Sequence, residues 1–139
     1  MLNKEGLVEL LTGVVDEVHQ FDPDALGIIV FGSFAHDKVT EASDVDCIYV
    51  QRGTDFGSFR YLNYKIQEAL QPYQIRLDYE DTIVVGDIDG VPSFYENGLL
   101  HGPCQFVDAN SVFITVDPQL AEVLRTVTKA DEKPWSRDK

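Results

Sequence analysis

The sequence predicts a mixed α/β layer with some antiparallel strand pairing. Three observations predict it. Apolar residues recur at helical spacing near both ends of the chain and again in the middle. Between these segments lie short apolar or alternating runs bounded by Gly, Pro and Asp. The 139 residues, 44% hydrophobic and 11% aromatic, are enough for one core and leave little room for two. The elements follow in order. Leu7, Leu10, Leu11, Val14, Val15 and Val18 share one helical face over residues 2–20, and Phe21-Asp22-Pro23-Asp24 stops it. Leu26 to Phe31 reads as a buried strand ending at Gly32-Ser33, His36 to Ser43 as a polar loop, and Val45 to Val50 as a second strand. Phe59, Leu62, Ile66, Ala69 and Leu70 mark a second helix, with Pro72 just past its end. Ile75 to Tyr79 alternates and Thr82 to Val85 is apolar, which gives one long strand or two short ones. Gly86-Asp87-Ile88-Asp89-Gly90 reads as a turn, Val91 to Leu100 as a short helix ending at Gly102, and Gln105 to Val107 and Val112 to Val116 as strands. Pro118 opens a last helix whose apolar face is Leu120, Val123, Leu124 and Val127. The expectation is one domain over residues 1–130, followed by a charged, frayed tail over 131–139 in which Trp135 is the residue suited to docking.

Charge narrows the functional classes. The net charge is −13 and the isoelectric point about 4.4. A field of that sign repels phosphate backbones, so strong nucleic-acid binding is not expected, although a bound divalent cation can reverse the sign locally. Cys47 and Cys104 stand 57 positions apart, which is neither a disulfide framework nor a zinc spacing. Both lie in apolar runs, so buried free thiols in a reducing cytoplasm are the expectation. No apolar run approaches the roughly 20 residues of a membrane helix, and residues 1–6 carry no signal-peptide core.

The segment with chemical content is Ile28-Ile29-Val30-Phe31-Gly32-Ser33, then ten residues, then Asp44-Val45-Asp46-Cys47-Ile48-Tyr49-Val50. Side chains alternate along a strand, so Asp44 and Asp46 are expected on one face and Val45, Cys47 and Tyr49 on the other, under helices. Paired carboxylates repel and raise each other's pKa, and a hard divalent cation is a good reason to tolerate that. Gly32 permits close backbone approach to a phosphate, and the Ser33 hydroxyl can donate to one. A third carboxylate would allow two metals, and Asp78 on the alternating run Gln74-Ile75-Arg76-Leu77-Asp78 is the candidate. Glu80, on the same face, is its rival. Arg76 shares that face too, where it could meet substrate phosphate or pair with a nearby carboxylate.

This pattern of apolar strand, Gly-Ser, polar loop, Ser43-Asp44-Val45-Asp46 and a later strand with a third Asp resembles the minimal nucleotidyltransferases of the DNA polymerase β superfamily. Phe94 to Val107 loosely resembles the family's following segment, so the likeness spans about residues 26–108 and is tightest over 28–50. It implies a polymerase β-like fold, a mixed sheet with helices packed mainly on one face. It implies transfer of a nucleoside monophosphate, AMP from ATP being the leading case, to an acceptor hydroxyl with release of pyrophosphate. Asp44 and Asp46 would ligate two Mg²⁺ ions, Asp78 would ligate one and help activate the acceptor, and Gly32, Ser33 and Ser43 would hold the triphosphate. Some relatives modify small molecules such as aminoglycosides, and others adenylylate a HEPN-type toxin as its antitoxin. One departure stands out. Relatives often carry Ala-Arg-Gly after Gly-Ser-x, whereas Ala35-His36-Asp37 follows Phe34 here. His36, mostly neutral at pH 7, is a weak substitute for the absent phosphate-binding Arg.

Two rival classes follow from the same residues. A catalytically degenerate module would keep the fold and neutralise a basic partner by charge and shape. A small-molecule modifier of the antibiotic-transferase type would need an acceptor-binding region for which the sequence leaves scant room. Elsewhere plain structural roles are expected. Asp87-Ile88-Asp89-Gly90 lacks the further ligands of an EF-hand, Lys65 is expected in solvent, and His19 and His101 have no partner pattern. Cys47 is expected to pack under the sheet, and Tyr61 and Tyr64 to pack rather than line a base pocket.

Overall fold

The computed structural model describes residues 2–40, 42–53, 55–88, 91–96 and 105–133, with 87–88 and 91–96 described through their backbone. Helix α1 (Lys4–Phe21) starts where the Asn3 side chain accepts the Gly6 N–H and ends at Asp22, whose N–H returns to the Val18 carbonyl. Strand β1 (Ala25–Phe31) follows, then β2 (Val45–Arg52), α2 (Phe56–Leu70) and the long β3 (Leu77–Ile88). Asp55 caps α2, and Pro72 sits in the tight 71–73 turn beyond it, as a residue without an N–H should. Next come β4 (Val91–Glu96), β5 (Val112–Thr115) and α3 (Pro118–Thr128), which Asp117 caps and Pro118 opens.

Among the described residues these strands form one sheet in the order β4-β3-β2-β1-β5. Only β2 and β3 run parallel, because α2 carries the chain back between them; every other pairing is antiparallel. Strand β1 is buried along its whole length, since both faces are covered. On one face Ile28, Val30, Val45, Cys47 and Tyr49 meet Leu7, Leu11 and Val18 of α1 and Leu62, Ile66 and Leu70 of α2. On the other, Leu26, Ile29, Phe31, Ile48, Val50 and Ile83 meet Leu124 of α3, Val107 and Ala130. Two helices thus cover one face and the third covers the other, an α+β mixed-sheet architecture of the class expected. No helix among the described residues is long and apolar enough to cross a membrane.

Three local readings need correction. Val91 to Glu96 is a strand, not a helix: its backbone pairs with β3 from Ile88↔Val91 to Ile83↔Glu96, and Pro92 is tolerated because β4 is the sheet edge. Residues 86–88 accordingly belong to β3 rather than to a turn. Among the described residues, Gln105 to Val107 pairs with no strand; Phe106 stacks on Phe31 and Val107 fills the core instead. The first residues of the tail are in contact with the fold. Ala130 is buried, Arg125 bonds Asp131, and the Lys133 carbonyl accepts the Ala109 N–H. On α3 the buried positions are Leu124 and Thr128, while Val123 is exposed. The expectations for residues 97–104, including His101 and Cys104, and for Trp135 lie outside the described residues.

Candidate active site

The site grows from the junction of three strands. Register pairs Phe31 with Asp46 and Asp46 with Asp78, so β1, β2 and β3 carry these residues side by side on the α3 face. Beyond Cys47↔Tyr79 the register jumps to Ile48↔Asp81, which leaves Glu80 as the extra residue of a β-bulge. Ligand oxygens of Asp46, Asp78 and Glu80 all lie within 4.8 Å of one another. Asp46 is half-buried, while Asp78 and Glu80 are open to solvent.

Gly32 is the other wall. Its φ of +76° lies in the left-handed region, and a Cβ built on it would stand 2.2 Å from Asp46 Oδ2. The Asp46 carboxylate therefore occupies the space that any other residue at 32 would fill. After Gly32 the chain makes one tight turn. The Lys38 N–H reaches the Ser33 carbonyl at 2.8 Å, the Asp37 N–H reaches Phe34, and Asp37 takes φ +55°, an arrangement of the Schellman type. Phe34 and Ala35 are buried beneath it, and Lys4 Nζ donates to the Ala35 carbonyl at 2.7 Å. The Gly-Ser turn is thus fixed from below and from α1.

Electrostatics follow the geometry. The Asp46 carboxyl is pushed up to about 7, first by burial and then by its hydrogen bond to Asp78 and the charges of Asp78, Glu80 and Asp44. Glu80 is raised as well, by burial and by Asp78. A bound cation would relieve the repulsion within such a cluster. An all-oxygen set this close suits a hard divalent cation such as Mg²⁺, and the glycine cradle leaves the Asp46 oxygen room that a side chain would take.

The remaining sequence candidates are placed differently. Asp44 stands just before β2, where its Oδ2 accepts from Arg76 Nη2 at 3.0 Å. Ser43 closes its own loop, its Oγ accepting the Thr40 N–H at 2.8 Å. His36 turns from the carboxylates to Asp108, with Nε2 2.6 Å from Oδ2. Burial lowers the His36 pKa, with Lys4 and Lys38 acting in the same sense and Asp108 opposing. His36 is therefore a strut rather than the phosphate-binding cation an Arg would have supplied. Lys65 pairs with Glu17 and Glu68, His19 Nδ1 bonds the Ala25 carbonyl, and Cys47 is buried with its thiol pushed up by burial. Tyr61 is half-buried, and the exposed Tyr64 lines an open groove with Gln71, Gln74 and Arg76.

The strut was invisible in the sequence, because 72 positions separate its partners. Asp108 is itself held by an Asx turn, with Oδ1 accepting the Asn110 N–H at 2.9 Å. Asp108→Ala should remove this bond across the turn and cost about 1–3 kcal/mol of stability, read as a lower urea midpoint. His36→Ala combined with Asp108→Ala should cost less than the two single changes added together.

Comparison with known proteins gives the family. A solved structure from Sulfolobus solfataricus, provisionally assigned as a nucleotidyltransferase, is similar at 19% identity over 68% of this chain and 84% of its own, with a TM-score of 0.37. No curated protein matches the chain. The family profile described as "Nucleotidyltransferase domain" matches residues 11–89, more than half the chain, and that span holds Gly32, Asp44, Asp46, Asp78 and Glu80. By that match the chain belongs to the nucleotidyltransferase domain family, whose general activity it shares.

Proposed function

We propose that this nucleotidyltransferase moves a nucleoside monophosphate, AMP from ATP, onto an acceptor hydroxyl in a Mg²⁺-dependent reaction. The observation that carries the reading is the convergence of Asp46, Asp78 and Glu80 against the side-chain-free surface of Gly32. Asp46 and Asp78 would hold the cations, with Asp44 joining once Arg76 moves to substrate phosphate. Bound Mg²⁺ would supply charge neutralisation at the triphosphate and a lower pKa for the attacking hydroxyl. The chain's own work is positioning. Gly32 and Ser33 start a pinned turn against which phosphate oxygens can rest, and Ser43 keeps the preceding loop closed. Asp78, open to solvent, would receive the acceptor proton. The acceptor oxygen bonds the α-phosphorus, the α–β anhydride breaks, and pyrophosphate leaves. An acceptor on a basic partner protein, as in antitoxins that modify a HEPN-type toxin, suits the net charge of −13.

The test is Mg²⁺-dependent transfer of label from α-labelled ATP to such an acceptor. Label should transfer with the wild type and fall by about a hundredfold or more with Asp78→Asn, as loss of a direct ligand exceeds loss of an outer partner. Label arriving from γ-labelled ATP instead would reassign the chemistry to phosphoryl transfer. Undiminished transfer by Asp44→Asn and Asp78→Asn together would remove these residues from the site.

A further inference from the structure

The carboxylates and the Gly32 turn account for a triphosphate but give no surface for a base. Beside them is an aromatic residue that the fold alone does not explain. Phe31, the last residue of β1, precedes Gly32 and pairs across the strands with Asp46. Its ring is buried, and the ring of Phe106 lies over it nearly parallel, at 11° and 6.1 Å between centroids. Phe106 is nevertheless 52% exposed. A phenyl ring backed on one side and left half in water gains little as a core residue.

Its neighbours hold it there. Val107 is fully buried in the α3-side core, and Asp108 is bonded to His36 of the Gly32 turn. The ring is thus anchored from its own next two residues and from the strand below, so a planar ligand would meet a prearranged surface at small entropic cost. The other exposed aromatics are placed elsewhere: Phe21 at the end of α1, Phe56 and Tyr64 on α2, and Tyr73 in the turn beyond it. Among the described residues, Phe106 is the exposed ring that packs on a direct neighbour of the carboxylate cluster.

We propose that Phe106 is the platform on which the base of the donor nucleotide stacks, one ring beyond Phe31 from the Asp46 carboxylate. The inference rests on the nucleotide-transfer reading and adds to it the residue that recognises the base. Stacking of this kind accepts any base, because every base presents a π-face. It therefore predicts purine nucleotides favoured modestly over pyrimidine nucleotides, with no strict choice between adenine and guanine.

The experiment is calorimetric titration with Mg²⁺ plus either the non-hydrolysable α,β-methylene analogue of ATP or inorganic tripolyphosphate, which has no base. Wild type should bind the analogue more tightly than tripolyphosphate. Phe106→Ala and Phe106→Leu should each weaken the analogue by about tenfold to a hundredfold and leave tripolyphosphate unchanged, while Phe106→Tyr keeps wild-type binding. Phe106→Leu keeps most of the apolar volume without the ring, so it separates stacking from packing. If wild type binds the analogue and Phe106→Ala binds it equally, the platform is refuted and the nucleotide reading stands. Equal weakening of both ligands would make Phe106 a structural residue and would also refute the platform. If wild type binds neither ligand, both readings fall.

Discussion

Asp46→Asn should reduce nucleotidyl transfer by about a thousandfold or more and, in the same preparation, raise the melting temperature of the metal-free protein at pH 8. The two effects share one cause. Asp46 is half-buried against Gly32 with Asp78 and Glu80 within one ion's reach, and its carboxyl is pushed up to about 7 from an ordinary 3.8 by burial and by those carboxylates. Between these values the unfolded chain gives up the proton while the folded chain keeps it. The stability linked to this group is therefore whole below about pH 4 and declines as pH rises through about 7. The metal-free wild type should melt lower at pH 8 than at pH 5 by this contribution, and Mg²⁺ should restore more at pH 8, where no proton competes for the oxygens. Asn removes the charge, so the variant should lose both the pH-dependent decline and the Mg²⁺ response. Melting curves at the two pH values, with and without Mg²⁺, check all of this. A variant that keeps the full Mg²⁺ response would show that the cation binds elsewhere.

Gly32→Ala should be nearly as damaging by a purely steric route. An Ala at φ +76° costs about 1–3 kcal/mol in backbone strain, and its Cβ would fall 2.2 Å from Asp46 Oδ2, so the carboxylate has to move. Expected outcomes are a lower denaturant midpoint and weaker Mn²⁺ binding by at least about tenfold. Ser33→Ala, one position on, should leave Mn²⁺ binding unchanged and weaken only the triphosphate. Equal Mn²⁺ affinity in Gly32→Ala and wild type would mean that Asp46 does not need that space.

The parts of the fold that were legible in the sequence were those set locally. The apolar faces of α1 and α2 follow from spacing, and their C-terminal ends from Asp22 and Pro72. The Gly-Ser turn and Asp46 on the face opposite Cys47 follow from alternation and from the backbone freedom of Gly32. What could not be read depended on distant partners. Val91, Phe94 and Tyr95 fit helical spacing as well as a strand, and only pairing with β3 decides between them. The dipeptide Asp89-Gly90 between two apolar runs was the available signal for a hairpin. Glu80 joined the cluster through a bulge whose trace in the sequence is slight: Tyr79 packs under α2 while Ile83, of the same parity, packs under α3. Asp44 pairs with Arg76, a partner 32 positions away that its own neighbours do not announce.

The most direct measurement is a Mn²⁺ titration followed by electron paramagnetic resonance, with Mn²⁺ in place of Mg²⁺, on wild type and on Asp46→Asn combined with Asp78→Asn, in the presence and absence of the α,β-methylene analogue of ATP. The expected result is saturable Mn²⁺ binding by wild type that tightens with the nucleotide and disappears in the double variant. Mn²⁺ binding of equal strength in both proteins, or binding by wild type that the nucleotide does not affect, would contradict it.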